Sequence, residues 1–201
     1  MPIRFGTSGW RAIIADEFVF SNVRLVTESI CRYLKEASPD SRQTLIIGND
    51  SRFMGENFVE VAAEIAASKG FKVLQCSGTT PTPTISHAIR SHNAAGGINF
   101  TASHNPPEYQ GIKFSTSDGA PALPEVTQKI EELIVVNSPF DDADGEEQSQ
   151  QGDHSETRVV RVSIVADAGD VEVPRAWTIA HVAQETHARL RFGERRVRGG
   201  G

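Results

Sequence analysis

Six consecutive residues, Thr101-Ala102-Ser103-His104-Asn105-Pro106, set a hydroxyl, an imidazole and an amide side by side just after an apolar run that ends at Phe100. Small, hydrogen-bonding residues replace the apolar ones, and Pro106-Pro107 blocks a simple helical continuation, so the stretch reads as a loop. A serine presented this way can act as a nucleophile or as a phosphoryl carrier. A serine hydrolase is one reading. It predicts reaction with an activated ester and a fluorophosphonate, lost in Ser103→Ala. The Gly-x-Ser-x-Gly elbow is absent, however, and His104 follows Ser103 too closely to be placed readily as its base.

The elements that must hold this loop alternate in period. Val23, Val26, Ile30, Tyr33 and Leu34 share one face of a predicted helix. Leu45-Ile46-Ile47 is a short continuous apolar run, as in a buried parallel strand. Phe58, Val61 and Ile65 mark a second helix, with Ala62 and Ala66 beside them and Gly70 as its C-cap. Phe71 to Gln75 reads as a strand. Thr82 is expected to cap a third helix with Pro83 at its first position and Ile85 and Ile89 facing inward. Ala95 to Phe100 reads as the strand that feeds the serine loop. Pro124 opens a helix carrying Val126, Ile130, Leu133 and Ile134. Alternating helix and strand predict an α/β fold, a three-layer α/β/α sandwich around a mainly parallel mixed sheet. The working loops of such a sheet lie at its strand ends.

The chain has 201 residues, enough for one well-buried domain or one domain plus an extension. Its net charge of -6 gives no general pull toward nucleic acid or anionic lipid, so neither is expected as a partner. No apolar run approaches the ~20 residues of a membrane helix, and the N-terminus has no apolar core after a basic start. Cys31 and Cys76 lack metal or disulfide spacing and read as buried free thiols in a reducing, cytoplasmic setting.

Character changes after Val136. Asp141, Asp142, Asp144, Glu146 and Glu147 form an acidic cluster, read as a solvated charge run. Val159 to Val165 has strand character and Trp177 to Leu190 a weak helical period. Residues 1–136 are therefore expected to form the α/β/α domain. Residues 137–201 are expected to be an atypical tail, poorly ordered or an incomplete second domain.

The hexapeptide at 101–106, with its flanks, resembles the active-serine loop of the α-D-phosphohexomutases, a family that includes phosphoglucomutase, phosphomannomutase and phosphoglucosamine mutase. Other segments agree in order. Phe5-Gly6-Thr7-Ser8-Gly9-Trp10-Arg11 looks like the family's N-terminal loop, although Ala12 stands where the family usually has glycine. Gly48-Asn49-Asp50-Ser51-Arg52, Thr80-Pro81-Thr82-Pro83 and Gly111-Ile112-Lys113-Phe114 resemble later segments of the family's first of four domains.

The resemblance implies an intramolecular phosphotransferase that interconverts hexose 1-phosphate and hexose 6-phosphate. The route would run through a phosphoserine at Ser103 and a hexose 1,6-bisphosphate, which would also be the activator. It implies Arg11 and Lys113 as the cations that meet the phosphoryl charge or exchange a proton, with His104 against phosphate or substrate. Thr7, Ser8, Gly9 and Asn105 would bind substrate, the first three by offering hydroxyls and backbone N–H groups to an anion. Asp50 and Arg52 read as a structural loop pair, and His87 and His92 as surface residues. Mg²⁺ would be held by the Ser103 phosphate, with its remaining ligands in a second-domain Asp-Gly-Asp-Gly-Asp-Arg loop that this chain lacks.

The chain thus looks like an incomplete form, weakly active or inactive alone unless another chain supplies the missing mutase domains. A non-enzymatic module that binds a sugar phosphate or a partner domain is the alternative. A reading-frame shift near residue 155 would explain the tail; sequencing the gene and its downstream DNA tests this, and lack of a mutase-like continuation in another frame would sink it.

Overall fold

The computed structural model describes residues 3–6, 9–37, 43–136 and 159–162. Its elements in chain order are β1 (Trp10–Ile13), α1 (Phe20–Ala37), β2 (Thr44–Asn49), α2 (Gly55–Ser68), β3 (Lys72–Thr79), α3 (Thr82–Ser91), β4 (Gly96–Phe100), β5 (Tyr109–Thr116), α4 (Pro124–Val136) and β6 (Val159–Val162). The strands form one sheet in the order β1-β5-β4-β2-β3-β6. The pairs β2–β3, β2–β4 and β3–β6 are parallel, while β4–β5 and β1–β5 are antiparallel. The expected α/β/α sandwich with a mixed sheet is therefore present.

The two sheet faces are covered unequally. On one face α1, α2 and α4 bury Val26, Ile30, Phe58, Ala62 and Ile130 against Leu45, Ile47, Ile98, Phe100 and Ile112. An aromatic chain runs through this layer. Trp10 stacks on Phe18 at 4.7 Å between centroids, Phe18 meets Phe58 edge-on at 4.9 Å, and Phe58 lies 6.1 Å from Phe100. On the other face α3 packs Ile85, Ala88 and Ile89 on Ile46, Leu74 and Cys76. Gly97 makes this close approach possible, because a Cβ there would stand 2.7 Å from Ile89 Cδ1.

Several local expectations change. The buried stripe of α2 is Phe58, Val59, Ala62, Ala63 and Ala66, whereas Val61 and Ile65 are half-buried at its margin. The small alanines face the sheet because α2 lies close to it, and close approach favours small side chains over branched ones. The cap of α3 is Pro81, not Thr82; the Thr82 hydroxyl instead accepts from Asn99 Nδ2 at 2.7 Å. Gly70 lies one residue past the C-cap Lys69 in the left-handed region, and Phe71 N–H donates to Ala66 O at 3.0 Å, closing a Schellman turn.

β6 pairs with β3 in parallel, so the sheet takes in a strand from beyond residue 136. The acidic cluster at 141–147 and the weak helical period at 177–190 lie outside the described residues.

Candidate active site around Ser103

The serine loop leaves the end of β4, and its backbone is sharply bent. Ser103 has φ of +58°, in the left-handed region that a non-glycine residue rarely takes. Two bonds inside the loop hold this bend: Ser103 N–H donates to Thr101 Oγ1 at 3.0 Å, and Asn105 N–H donates to Ala102 O at 3.1 Å. Ser103 and Asn105 are half-buried and His104 is exposed.

A larger set of bonds comes from outside the loop. Arg52 Nη2 donates to Ser103 O at 2.9 Å and Asn105 O at 2.5 Å, and its Nη1 donates to Pro106 O at 2.7 Å and Tyr109 O at 2.9 Å. The Arg52 side chain is only 10% exposed. Asp50 sets it in place: Asp50 Oδ1 accepts from Arg52 backbone N–H at 2.9 Å and Oδ2 stands 3.5 Å from Arg52 Nε. Asp50 N–H in turn donates to Phe100 O at 2.9 Å, which ties this brace to the end of β4. Sequence reading placed Asp50 and Arg52 together as a loop pair but missed what Arg52 grips. Its partners are main-chain carbonyls, which no residue pattern displays.

Arg11 and Lys113 come together through strand register. Arg11 lies opposite Gly111 across β1–β5, and Lys113 is two residues further along β5. Their side chains are therefore diagonal neighbours on one face of the sheet. This is the face on which α3 packs over β2 and β4 and reaches Leu74 and Cys76 of β3. Thr101 N–H donates to Gly111 O at 3.0 Å, so Ser103 follows two residues beyond the row that holds Arg11. Both cations are half-buried. Burial pushes the Lys113 ammonium below the ordinary lysine range, the Arg11 charge pushes it further, and Asp50 pulls it partly back.

Two glycines make room for this pairing. A Cβ on Gly111 would stand 2.6 Å from Thr101 O, 2.8 Å from Trp10 O and 3.0 Å from Arg11 Cγ. Gly9 has φ of +139°, and a Cβ there would run into Ile112 O and stand 3.0 Å from Lys113 Cα. Gly9 O also accepts from Gly6 N–H at 2.9 Å, closing the N-terminal turn beside Lys113. Thr7 and Ser8 lie outside the described residues.

Among the described residues no group of three His, Cys, Asp or Glu side chains converges to hold a metal ion. The nearest carboxylate in the loop brace, Asp50, is engaged by Arg52. These residues do not by themselves make a magnesium site. Also among the described residues, no helix is long and apolar enough to cross a membrane. Cys31 and Cys76 are buried and free, and His87 and His92 are exposed, as expected.

The site thus joins a bent serine loop, two adjacent cations and a glycine turn at one sheet edge. The sequence model of "Phosphoglucomutase/phosphomannomutase, alpha/beta/alpha domain I" matches residues 2–138. The chain belongs to that family. It is 31% identical over 137 residues to a phosphoglucosamine mutase of Finegoldia magna, covering 68% of this chain and 30% of that protein. It is 35% identical over 143 residues to a phosphoglucomutase of Schizosaccharomyces pombe, covering 68% and 25%. A Thermus thermophilus protein assigned as a phosphomannomutase has a solved structure that superposes with a TM-score of 0.63 at 40% identity, covering 67% of this chain and 30% of that one. The chain thus spans about 30% or less of the length of the curated relatives it matches.

Proposed function

We propose that this chain is the phosphoryl-carrying domain of a phosphohexomutase, with Ser103 as the carrier. The observation that carries the reading is the placement of Arg11 and Lys113 on one sheet face beside a serine held in the left-handed conformation. In the transfer, the bond between phosphorus and Ser103 Oγ breaks and a bond from phosphorus to a sugar hydroxyl oxygen forms. The hydroxyl proton passes to neutral Lys113 and then to Ser103 Oγ. Lys113 suits this role because its lowered pKa raises the fraction that is neutral and able to accept a proton. Arg11 supplies a fixed fork to the phosphoryl oxygens, whose negative charge spreads during transfer. The product, a hexose 1,6-bisphosphate, returns its other phosphoryl group by the same steps reversed.

In this reading His104, which is exposed, and Asn105, which is half-buried, meet the sugar phosphate, and Gly9 offers its turn to an anion. The same role is proposed for Thr7 and Ser8. Among the described residues, magnesium would be held by the phosphate on Ser103, where it would supply charge neutralisation. Two buried free thiols fit a reducing cytoplasm.

A coupled assay of glucose 1-phosphate conversion to glucose 6-phosphate tests this reading. The 201-residue chain would be assayed with Mg²⁺ and glucose 1,6-bisphosphate, beside Ser103→Ala. Turnover that disappears in the variant supports it. Turnover equal in the two proteins contradicts it.

A second reading is a non-enzymatic module that binds a sugar phosphate or a partner domain. Absent turnover with ligand binding retained points there.

A further inference from the structure

We propose that Arg52 is the positioning residue of the Ser103 loop, fixing where the serine oxygen stands relative to Arg11 and Lys113. The inference rests on the phosphoryl-carrier reading and extends it to a residue outside the reacting groups.

The guanidinium meets the loop with both terminal nitrogens, and its four bonds end on Ser103, Asn105, Pro106 and Tyr109. These carbonyls span the whole excursion from the carrier serine to the first residue of β5. One of them belongs to Ser103 itself. Grasping that carbonyl fixes the plane of the Ser103–His104 peptide. Because this peptide is trans, its N–H points to the side away from Arg52. The left-handed φ of Ser103 is strained for a non-glycine residue and persists only where surrounding bonds over-determine it. Arg52 supplies most of those bonds from outside the loop.

The brace is itself rigid. Asp50 holds the Arg52 backbone N–H and faces its Nε, and Asp50 is pinned to Phe100, three residues before Ser103. The serine is thus clamped against the end of the strand that neighbours β5. Arginine is required because only a planar fork can reach four carbonyls at once; lysine offers three donors from one point.

The test compares the wild-type 201-residue chain with Arg52→Lys. The rate of phosphoryl transfer from glucose 1,6-bisphosphate to Ser103 is followed by intact mass against bisphosphate concentration. The Ser103 ¹³Cα resonance reports the backbone bend, and amides of β2 and β4 report the fold. Arg52→Lys is expected to lower the maximal rate about 100-fold, as misplacement by an ångström does. The half-saturating concentration should change far less than the maximal rate, since Arg52 itself meets only main-chain carbonyls of the loop. The Ser103 resonance should leave its left-handed value while the β2 and β4 amides stay in place.

A wild-type maximal rate in Arg52→Lys overturns the proposal. A slowed rate with Ser103 unmoved does the same. Should Arg52→Lys not fold, Asp50→Asn loosens the same brace, and an unmoved Ser103 resonance there overturns it. Where the wild-type chain accepts no phosphoryl group, the Ser103 resonance alone decides Arg52's part; a group carried on another residue defeats the carrier reading separately.

Discussion

Gly111→Ala is a substitution of one methyl group at the point where β1, β5 and the serine strand meet. Its backbone lies outside the left-handed region, so the dihedral angles suit alanine and only space is at issue. The new Cβ would stand 2.6 Å from Thr101 O and 2.8 Å from Trp10 O. Both oxygens belong to backbone on either side, so no side-chain rotation relieves the clash and the strands must part. Overpacking of this kind costs about 2–3 kcal/mol, in the upper part of its usual range. Alanine returns about 0.4–1 kcal/mol by restricting the unfolded chain. The net loss is therefore about 1–2.5 kcal/mol, or a fall in Tm of roughly 2–10 °C for a chain of this size.

The same methyl stands 3.0 Å from Arg11 Cγ and displaces that side chain. Since the Arg11 charge helps lower the Lys113 pKa, Lys113 should titrate closer to its ordinary range in the variant. Thermal unfolding followed by circular dichroism, with NMR titration of the Lys113 side chain, reads both effects. A Tm within about 1 °C of wild type together with an unmoved Lys113 titration would refute the reasoning.

Other outcomes follow from the same structure. Phe58→Ala empties the middle of the aromatic chain and should cost about 3–5 kcal/mol in urea unfolding; a loss below about 1 kcal/mol would mean the aromatic layer closes around the gap. The native pKa of Lys113 lies below its unfolded value, so the unfolded chain binds more protons between the two. Wild-type stability should therefore rise with pH relative to Lys113→Met across that window, and parallel curves for the two proteins would contradict the shift. Burial pushes the Cys31 thiol up to about 12 and raises that of Cys76 as well. Neither should react with a thiol reagent at about pH 8 until the chain unfolds; prompt labelling of the folded chain would contradict their burial.

The helices and strands β2, β3 and β4 were legible because their apolar residues recur at the period of the element. β1 and β5 were not read as strands, though Ile112 and Phe114 alternate with Gly111 and Lys113. That weak period-two signal is diluted by the residues that serve the site. A glycine and two cations face the open side where apolar residues would otherwise stand. Thr82 shows the reverse case. A good cap residue lies one position inside the helix and spends its hydroxyl on Asn99, because Pro81 is already extended and ends the preceding turn. The serine loop was legible from its residue types, and the bend at Ser103 was not. Arg52 was legible only as a charge near Asp50, since a bond to a carbonyl leaves no trace in the identity of the residue that carries it.

Phosphoryl uptake by Ser103 is the most direct test of the reading as a whole. The 201-residue chain would be incubated with glucose 1,6-bisphosphate and Mg²⁺, then analysed by intact mass and by fragmentation to locate the modified residue. One phosphoryl group on Ser103, absent in Ser103→Ala and strongly slowed in Lys113→Met, is the expected result. A chain that takes the group on another residue, or a Ser103→Ala variant that takes it equally, would contradict the assignment of Ser103 as the carrier.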